Sequence, residues 1–230
     1  MKTLKRAAVA IAVISATGAS SQALAAVEAN IGVTTDYMWR GVSQSAEAAS
    51  VSGGLDYADD SGFYIGTWIG SLGDADDGVF QGSEVDLYLG YAGEAGDIAY
   101  DFGYILYHYP SIDDGDFGEI YVSGGIGPFS AGVAYTIHSD ADDDAAFGEG
   151  GIYLNASYGF DITEEFSGAV TIGYYDFDAE VAEGAEDDGD YGHIQLDISK
   201  GDFTFSVHKA EESVIASDDL KFVASWGMTF

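Results

Sequence analysis

Hydrophobic and polar residues alternate with a period of two along most of the chain. The clearest case is the last segment, 220–230, in which one parity is entirely apolar: Leu220, Phe222, Ala224, Trp226, Met228 and Phe230. A period of two indicates a β-strand with one apolar face. At the end of a water-soluble domain such a row would fray into solvent. In a membrane-spanning barrel it completes a lipid-facing surface, and the last strand closes onto the first.

The same alternation recurs in eleven earlier segments, so the pattern predicts an all-β fold, a transmembrane antiparallel up-and-down β-barrel of about 12 strands. In the first segment the pattern places Tyr37 and Trp39 on the lipid face, and Asp36 and Arg40 on the opposite face. The predicted strands are 27–40, 49–58, 63–71, 83–92, 98–109, 118–126, 129–138, 151–160, 166–176, 191–200, 202–209 and 220–230.

The connections between these segments alternate in length. Every second connection is tight: 59–62, 93–97, 127–128, 161–165 and residue 201. The others are longer and mostly acidic: 41–48, 72–82, 110–117, 139–150, 177–190 and 210–219. Outer-membrane barrels have short periplasmic turns and long extracellular loops. A soluble sandwich or an eight-stranded soluble barrel is the alternative, but neither requires such regular alternation.

The amino terminus has the features of an export signal. A basic start with Lys2, Lys5 and Arg6 precedes a short apolar run, and Ala23 and Ala25 are small residues where a signal peptidase reads. We expect 1–25 to be a signal peptide cleaved after Ala25, and 26–230 to form a single outer-membrane β-barrel domain. The location expected from these features is the bacterial outer membrane.

The chain is strongly acidic, with a formal net charge of −33 and 40 Asp and Glu against 7 Lys and Arg. Beyond the export signal only four basic residues remain: Arg40, Lys200, Lys209 and Lys221. This charge excludes nucleic acid as a partner, because the phosphate backbone requires basic residues. Hydrophobic residues make up 47% of the chain, which argues against disorder. There is no cysteine, so no disulfide can form.

Several motifs resemble a known family. The stretch N-I-G-V-T-T-D-Y-M-W-R-G-V-S-Q-S at 30–45 resembles the opening motif of the TorF-like (Gcw_chp) family of conserved putative outer-membrane proteins. Similar pieces follow in the same order at 62–68, 84–91, 100–104, 107–110 and 119–122. The resemblance is dense to about Tyr135 and thin afterwards. It implies an outer-membrane barrel of undefined substrate, and it carries no catalytic residues.

The polar parity of the predicted strands would line the lumen. Arg40 would lie among carboxylates there, either as one pole of a constriction that orients a solute or within an ion-pair network that fills the barrel. Tyrosines beside the acids could stack on a solute or pack the interior. The candidate lumen-lining residues are Asp36, Arg40, Glu84, Asp86, Tyr88, Asp101, Tyr107, Glu119, Tyr121 and Asp197.

The acidic loops raise the question of a divalent cation. Oxygen ligands at this density could hold Ca²⁺. The candidate ligands are Asp140, Asp142 and Asp144, although Ala145 occupies the position at which an EF-hand loop needs glycine. The alternative is a solvated acidic rim, and otherwise no cofactor is expected.

These observations favour a narrow channel for small cationic or neutral polar solutes, because four basic residues cannot line a pore for acidic sugars. A closed structural or surface-interaction barrel is the alternative. A barrel hydrolase is less favoured, since His138 and Ser139 are adjacent and point to opposite faces. We therefore expect a non-enzyme. Its partners would be outer-membrane lipid and lipopolysaccharide, the barrel assembly machinery through the last strand, and a small polar solute.

Overall fold

The computed structural model describes residues 26–73, 80–141, 147–177 and 189–230. The expected signal peptide, 1–25, lies outside the described residues. Within the described ranges, no helix is long and apolar enough to cross a membrane.

The described residues form fourteen strands. They are β1 (Ala26–Thr34), β2 (Met38–Trp39), β3 (Val42–Ser43), β4 (Ser50–Ala58), β5 (Phe63–Gly73), β6 (Phe80–Ala95), β7 (Ile98–His108), β8 (Phe117–Ile126), β9 (Phe129–Ser139), β10 (Ile152–Asp161), β11 (Ser167–Asp176), β12 (Tyr191–Lys200), β13 (Phe203–Ala210) and β14 (Lys221–Thr229).

Twelve of these strands close into one antiparallel barrel, in which each strand pairs with its neighbours along the chain. Closure joins β14 to β1, with Asn30 opposite Thr229 and Thr34 opposite Ser225. The other two strands, β2 and β3, pair only with each other. The predicted closed up-and-down barrel of about twelve strands is therefore confirmed.

The outer surface of the barrel is apolar and the inner surface is polar or aromatic. On β8, Ile120 and Val122 are about half exposed, whereas Glu119 and Tyr121, which alternate with them, are buried. The other wall strands repeat this alternation. A continuous belt of exposed Ile, Leu, Val and Phe around a closed cylinder is a surface that suits hydrocarbon and not water. The chain therefore has the architecture of a transmembrane barrel.

The two ends of the barrel differ. Tight connections lie at one end, which we call the turn end: 59–62, 96–97, 127–128, 162–166 and 201–202. Longer connections follow the opposite ends of the strands, at what we call the loop end. Both ends of the described wall lie at the turn end, where Ala29 and Phe230 exchange two backbone hydrogen bonds of 2.9 Å.

The first predicted strand is too long. Strand β1 ends at Thr34, and not at residue 40, because the Thr34 hydroxyl donates to the carbonyl of Asp36 at 2.8 Å and the chain turns into the barrel. The next residues form the hairpin β2–β3, whose two-residue turn is Arg40 and Gly41, both with positive φ (49° and 88°). Positive φ at both positions is characteristic of the turn that suits a tight hairpin.

This inward hairpin reverses two predicted orientations. Tyr37 and Trp39 do not face lipid, since Tyr37 contacts Trp68 and Trp39 contacts Tyr107 inside the barrel. The alternation continued through these residues because the hairpin is itself a pair of strands. A period of two shows that a strand has an apolar face, but not whether that face contacts lipid outside the barrel or other side chains inside it.

Candidate functional site: the Arg40 site and the lumen acids

The hairpin carries Arg40 to the middle of the loop-end half of the barrel. The guanidinium donates from Nη1 to Oε1 of Glu119 at 2.7 Å and from Nη2 to Oε2 at 2.6 Å. The two side chains are only 7% and 1% exposed, so this is a buried, bidentate ion pair. Such a fork-to-carboxylate pair is the strongest arrangement that an arginine and a carboxylate can make.

Aromatic rings surround the same guanidinium. Its Cζ lies 4.2 Å from the ring centroid of Trp39, 4.1 Å from that of Tyr153 and 5.2 Å from that of Tyr175. These distances are within the range of cation–π attraction. We call Glu119, Tyr107, Tyr153 and Tyr175, which all belong to barrel strands, the Arg40 site.

Glu119 accepts further hydrogen bonds from two of these tyrosines. Tyr107 Oη donates to Oε2 at 3.2 Å, and Tyr175 Oη donates to Oε1 at 3.3 Å. With the guanidinium, four donors therefore converge on one buried carboxylate. This number of donors repays much of the cost of removing the charge from water.

The rings also fill the lumen at this level. Trp39 lies 5.6 Å from both Tyr107 and Phe147, and Tyr175 stacks on Phe177 at 4.1 Å between ring centroids. Tyr175 and its neighbour Tyr191 are completely buried. In the state shown by the structure, side chains therefore occupy the space around the Arg40 site.

The hairpin is fixed by its own polar residues and by one close approach to the wall. Asp36 accepts hydrogen bonds from the hydroxyls of Ser43 at 2.6 Å and Ser45 at 3.1 Å. Gly41 lies against β12, where a Cβ at position 41 would be 2.7 Å from the Cβ of His193. Only glycine fits there, because φ is also positive.

Beside the Arg40 site lie two carboxyl groups without a basic partner. Glu84 and Asp86 share the inward face of β6 and are 1% and 3% exposed. Tyr37 Oη donates to Oε1 of Glu84 at 3.1 Å, whereas Oδ1 of Asp86 has no hydrogen-bond partner. No ion pair formed by the described residues includes either group.

The turn-end half of the interior holds acids of a different kind. They are partly exposed and bind uncharged donors. Asp101 accepts a hydrogen bond from Tyr64 Oη at 2.6 Å. Asp56 accepts one from Asn30 Nδ2 at 3.1 Å and another from the Tyr88 hydroxyl. Asp197 accepts hydrogen bonds from Gln195 Nε2 at 2.9 Å and from Ser206 Oγ at 2.5 Å.

Comparison with known proteins identifies the family to which the chain belongs. The family model described as "Bacterial protein of unknown function (Gcw_chp)" matches residues 16–211. The chain belongs to that family. The resemblance of the motifs is thereby confirmed for Gcw_chp, while the TorF-like label stays a prediction.

Solved structures agree with this Gcw_chp chain in fold alone. The KdgM porin has a TM-score of 0.53 and 8% identity, over 88% of this chain and 98% of that chain. A structure described as "Unveiling the Mechanism Behind the in-meso Crystallization of Membrane Proteins" has a TM-score of 0.54 and 10% identity, over 89% and 83%. The Gcw_chp chain thus has a porin-like barrel fold. None of the curated proteins compared with it matches.

The structure places all ten candidate lumen residues inside the Gcw_chp barrel, but in three separate settings. Arg40, Glu119 and Tyr107 meet in one place, and Glu84 and Asp86 lie next to them. Asp36 is a structural residue of the hairpin. Tyr88, Asp101, Tyr121 and Asp197 belong to the turn-end half. Their role in binding a solute stays a prediction.

Sequence reasoning missed four residues of this region: Trp39, Tyr153, Tyr175 and His193. Two signals were present. Arg40-Gly41 between Trp39 and Val42 is a two-residue hairpin turn of the kind that favours positive φ. Tyr153 and Tyr175 occupy the inward parity of β10 and β11. His193 shares a 2.8 Å hydrogen bond between its Nε2 and Tyr153 Oη. No sequence pattern points to this residue as part of the site.

The calcium candidates are only partly described in the Gcw_chp structure. Asp140 is exposed at the loop end, and its Oδ1 lies 3.5 Å from His138 Nε2. Asp142 and Asp144 lie outside the described residues. Among the residues that are described, no three His, Asp or Glu side chains are grouped as metal ligands. Calcium binding therefore stays a prediction.

Proposed function

We propose that the protein is an outer-membrane channel for small cationic or neutral polar solutes, and that the hairpin β2–β3 closes it in the state seen here. The observation that carries this proposal is the separation of the hairpin from the wall. The wall is a complete barrel without β2 and β3. Moving the hairpin therefore breaks side-chain contacts and the backbone hydrogen bond from the N–H of Gly73 to the carbonyl of Gln44, but no barrel pairing.

The charge of the interior supports the choice of solute. Arg40 is the one Lys or Arg side chain at the core of the lumen in the described part of the chain, and Glu119 neutralises it. Among the ion pairs of the described residues, none includes Glu84 or Asp86 in the loop-end half or Asp56, Asp101 or Asp197 in the turn-end half. A pore lined by such groups attracts cations and repels anions.

The orientation follows from barrel asymmetry. With the turn end in the periplasm, the long acidic loops face the exterior, as in bacterial outer-membrane barrels. The apolar row of β14, which ends with Met228 and Phe230 exposed, is then available to lipid and to the assembly machinery. Export through the signal at 1–25 and contact with lipopolysaccharide at the loop end belong to the same proposal.

One observation favours the alternative of a closed structural barrel. The side chains around the Arg40 site have essentially no exposure, and tightly packed cores resist rearrangement. In that case the acidic loops would carry the function by binding divalent cations that bridge them to lipopolysaccharide.

Planar-bilayer recording separates the two functions. Wild-type protein, refolded and shown to be folded by its heat-dependent electrophoretic mobility, is inserted into neutral lipid under a KCl gradient. The channel predicts discrete openings with a reversal potential displaced towards that of K⁺. A folded sample without openings would support the closed barrel, and an anion-biased reversal potential would contradict the proposed solute class.

A further inference from the structure

The Arg40 site is built by the wall and occupied by the hairpin. Tyr107 belongs to β7, Glu119 to β8, Tyr153 to β10 and Tyr175 to β11. Wall pairing sets their positions, since Tyr153 lies opposite Tyr175 and Tyr107 opposite Phe117. The occupant, Arg40, comes from a strand pair that forms no ladder with a wall strand; its backbone link to the wall is the hydrogen bond from the N–H of Gly73 to the carbonyl of Gln44.

The chemistry of this site matches one class of ligand. Glu119 presents both oxygens to a fork of two N–H donors, and the rings of Tyr153 and Tyr175 lie over the flat cation. A planar guanidinium satisfies both features together. An ammonium group is a compact charge that cannot present the planar fork.

Leaving the site empty is unfavourable. If the hairpin withdraws, Glu119 stays on the wall with both oxygens directed at the vacated space and with only the tyrosine hydroxyls as donors. A buried carboxylate without a counter-ion is strongly destabilising, so another cation is favoured to replace the guanidinium. Hairpin withdrawal and cation binding are then linked, because the solute binds only the withdrawn state.

We propose that the Arg40 site is the binding site for a guanidinium-bearing solute, and that Arg40 occupies it as an intramolecular competitor. This inference rests on the proposed channel and names the solute class that releases its hairpin. It makes Glu119 a ligand-binding residue and Arg40 the chain's own substitute for the solute.

The test is calorimetric titration of the complete folded barrel in detergent with methylguanidinium chloride, and with methylammonium chloride as the probe of equal charge. Wild type should bind methylguanidinium weakly and saturably. Arg40→Ala should bind it at least tenfold more tightly, because the competitor held at high effective concentration is gone. Glu119→Gln should lose binding, and methylammonium should bind Arg40→Ala at least tenfold more weakly.

Controls keep the outcomes separate. Lys209→Ala removes one charge from an exposed site that bonds to the carbonyl of Asp218, and it should titrate as wild type. If Arg40→Ala does not fold, the comparison of wild type with Glu119→Gln still tests whether methylguanidinium binds through Glu119. Equal binding of both probes, or equal affinity of wild type and Arg40→Ala for methylguanidinium, would overturn the inference, since the site would then lack the proposed selectivity or the proposed competitor.

The readout is independent of conduction. A protein that conducts cations but binds neither probe at this site retains the channel and loses the inference. A protein that binds methylguanidinium through Glu119 but does not conduct loses the channel and retains the site.

Discussion

The two halves of the barrel interior accommodate their carboxylates in different ways. Both halves place carboxylates inside an acidic barrel. In the loop-end half, Glu119 is sealed by Arg40 and a layer of aromatic rings. In the turn-end half, Asp101 and Asp197 are partly exposed and bind hydroxyl and amide donors.

The difference comes from a single connection. Both halves are formed by the same twelve strands, and only the loop-end half receives the hairpin β2–β3. Where Arg40 arrives, the carboxylate can be buried, because a bidentate cation offsets its desolvation. In the turn-end half, which no Lys or Arg side chain of the described residues reaches, Asp101 and Asp197 stay in contact with water-accessible space. Glu84 and Asp86 are the exception within the loop-end half, since they are buried beside the Arg40 site without a cation of their own. The hairpin therefore divides a filled region from a polar vestibule.

Replacing one carboxylate by an amide in each half should produce the largest difference in stability between the two halves. Glu119→Gln should lower the free energy of unfolding by about 3–5 kcal/mol, because it leaves Arg40 buried without its partner. Asp101→Asn should cost only about 1 kcal/mol, since the amide oxygen still accepts from Tyr64. Urea titration of the refolded proteins measures both.

The double variant Arg40→Ala/Glu119→Gln provides the control for this pair. It should be less destabilised than the sum of the single variants, because the two residues act as a unit. Equal losses for Glu119→Gln and Asp101→Asn would remove the distinction between the two halves.

A smaller effect is expected at the hairpin tip. Gly41→Ala should destabilise the folded barrel by about 1–3 kcal/mol, because the new Cβ meets His193 and φ is positive. Gly201→Ala is the matched control: φ is also positive, at 57°, but nothing lies within 4 Å of the new Cβ. Thermal melting compares them, and equal losses would mean that Gly41 does not contact the wall as described.

The smallest effect concerns the rim at the loop end. Burial raises the pKa of Asp116, but hydrogen bonds from the backbone N–H of Tyr109 and from His108 outweigh it and leave that pKa below its ordinary value. The carboxylate thus stabilises the fold above an unfolded pKa of about 3.9, and this stabilisation is lost as the pH falls through the lower folded value.

Melting temperatures between pH 5 and pH 2 test the rim. At pH 5 Asp116→Asn should melt at a lower temperature than wild type, and the two melting temperatures should converge as the pH falls to 2. A gap that widens on acidification would contradict the sign. Asp116→Asn should not alter the reversal potential of the channel, because Asp116 lies in the connection between β7 and β8 and not on a wall strand.

Alternation of side chains was enough to predict the wall. Strand β12 runs from Tyr191 to Lys200 as the pattern indicates, and the row that ends at Phe230 faces outward next to β1. Both follow from local rules, since a strand buried on one face shows its register in its own sequence. The alternating lengths of the connections then defined the two ends.

The Arg40 site could not be predicted in the same way. Arg40 and Glu119 are 79 positions apart, and their meeting depends on how far the hairpin enters the closed barrel. The pattern extends the first predicted strand to residue 40, because Tyr37 and Trp39 continue its alternation. The pair Arg40-Gly41 is a hint of a tight turn, but the positive φ of both residues, which establishes the hairpin, is a property of the folded backbone.

Replacement of residues 36–47 by a short Gly-Ser connection tests the central claim most directly, namely that the hairpin closes an acidic barrel. Single-channel recording under a KCl gradient would compare this variant with wild type, both confirmed as folded by heat-dependent mobility. The account predicts long-lived openings of larger conductance in the variant, with a reversal potential displaced towards that of K⁺. A folded variant that stays closed, or that prefers Cl⁻, would contradict it.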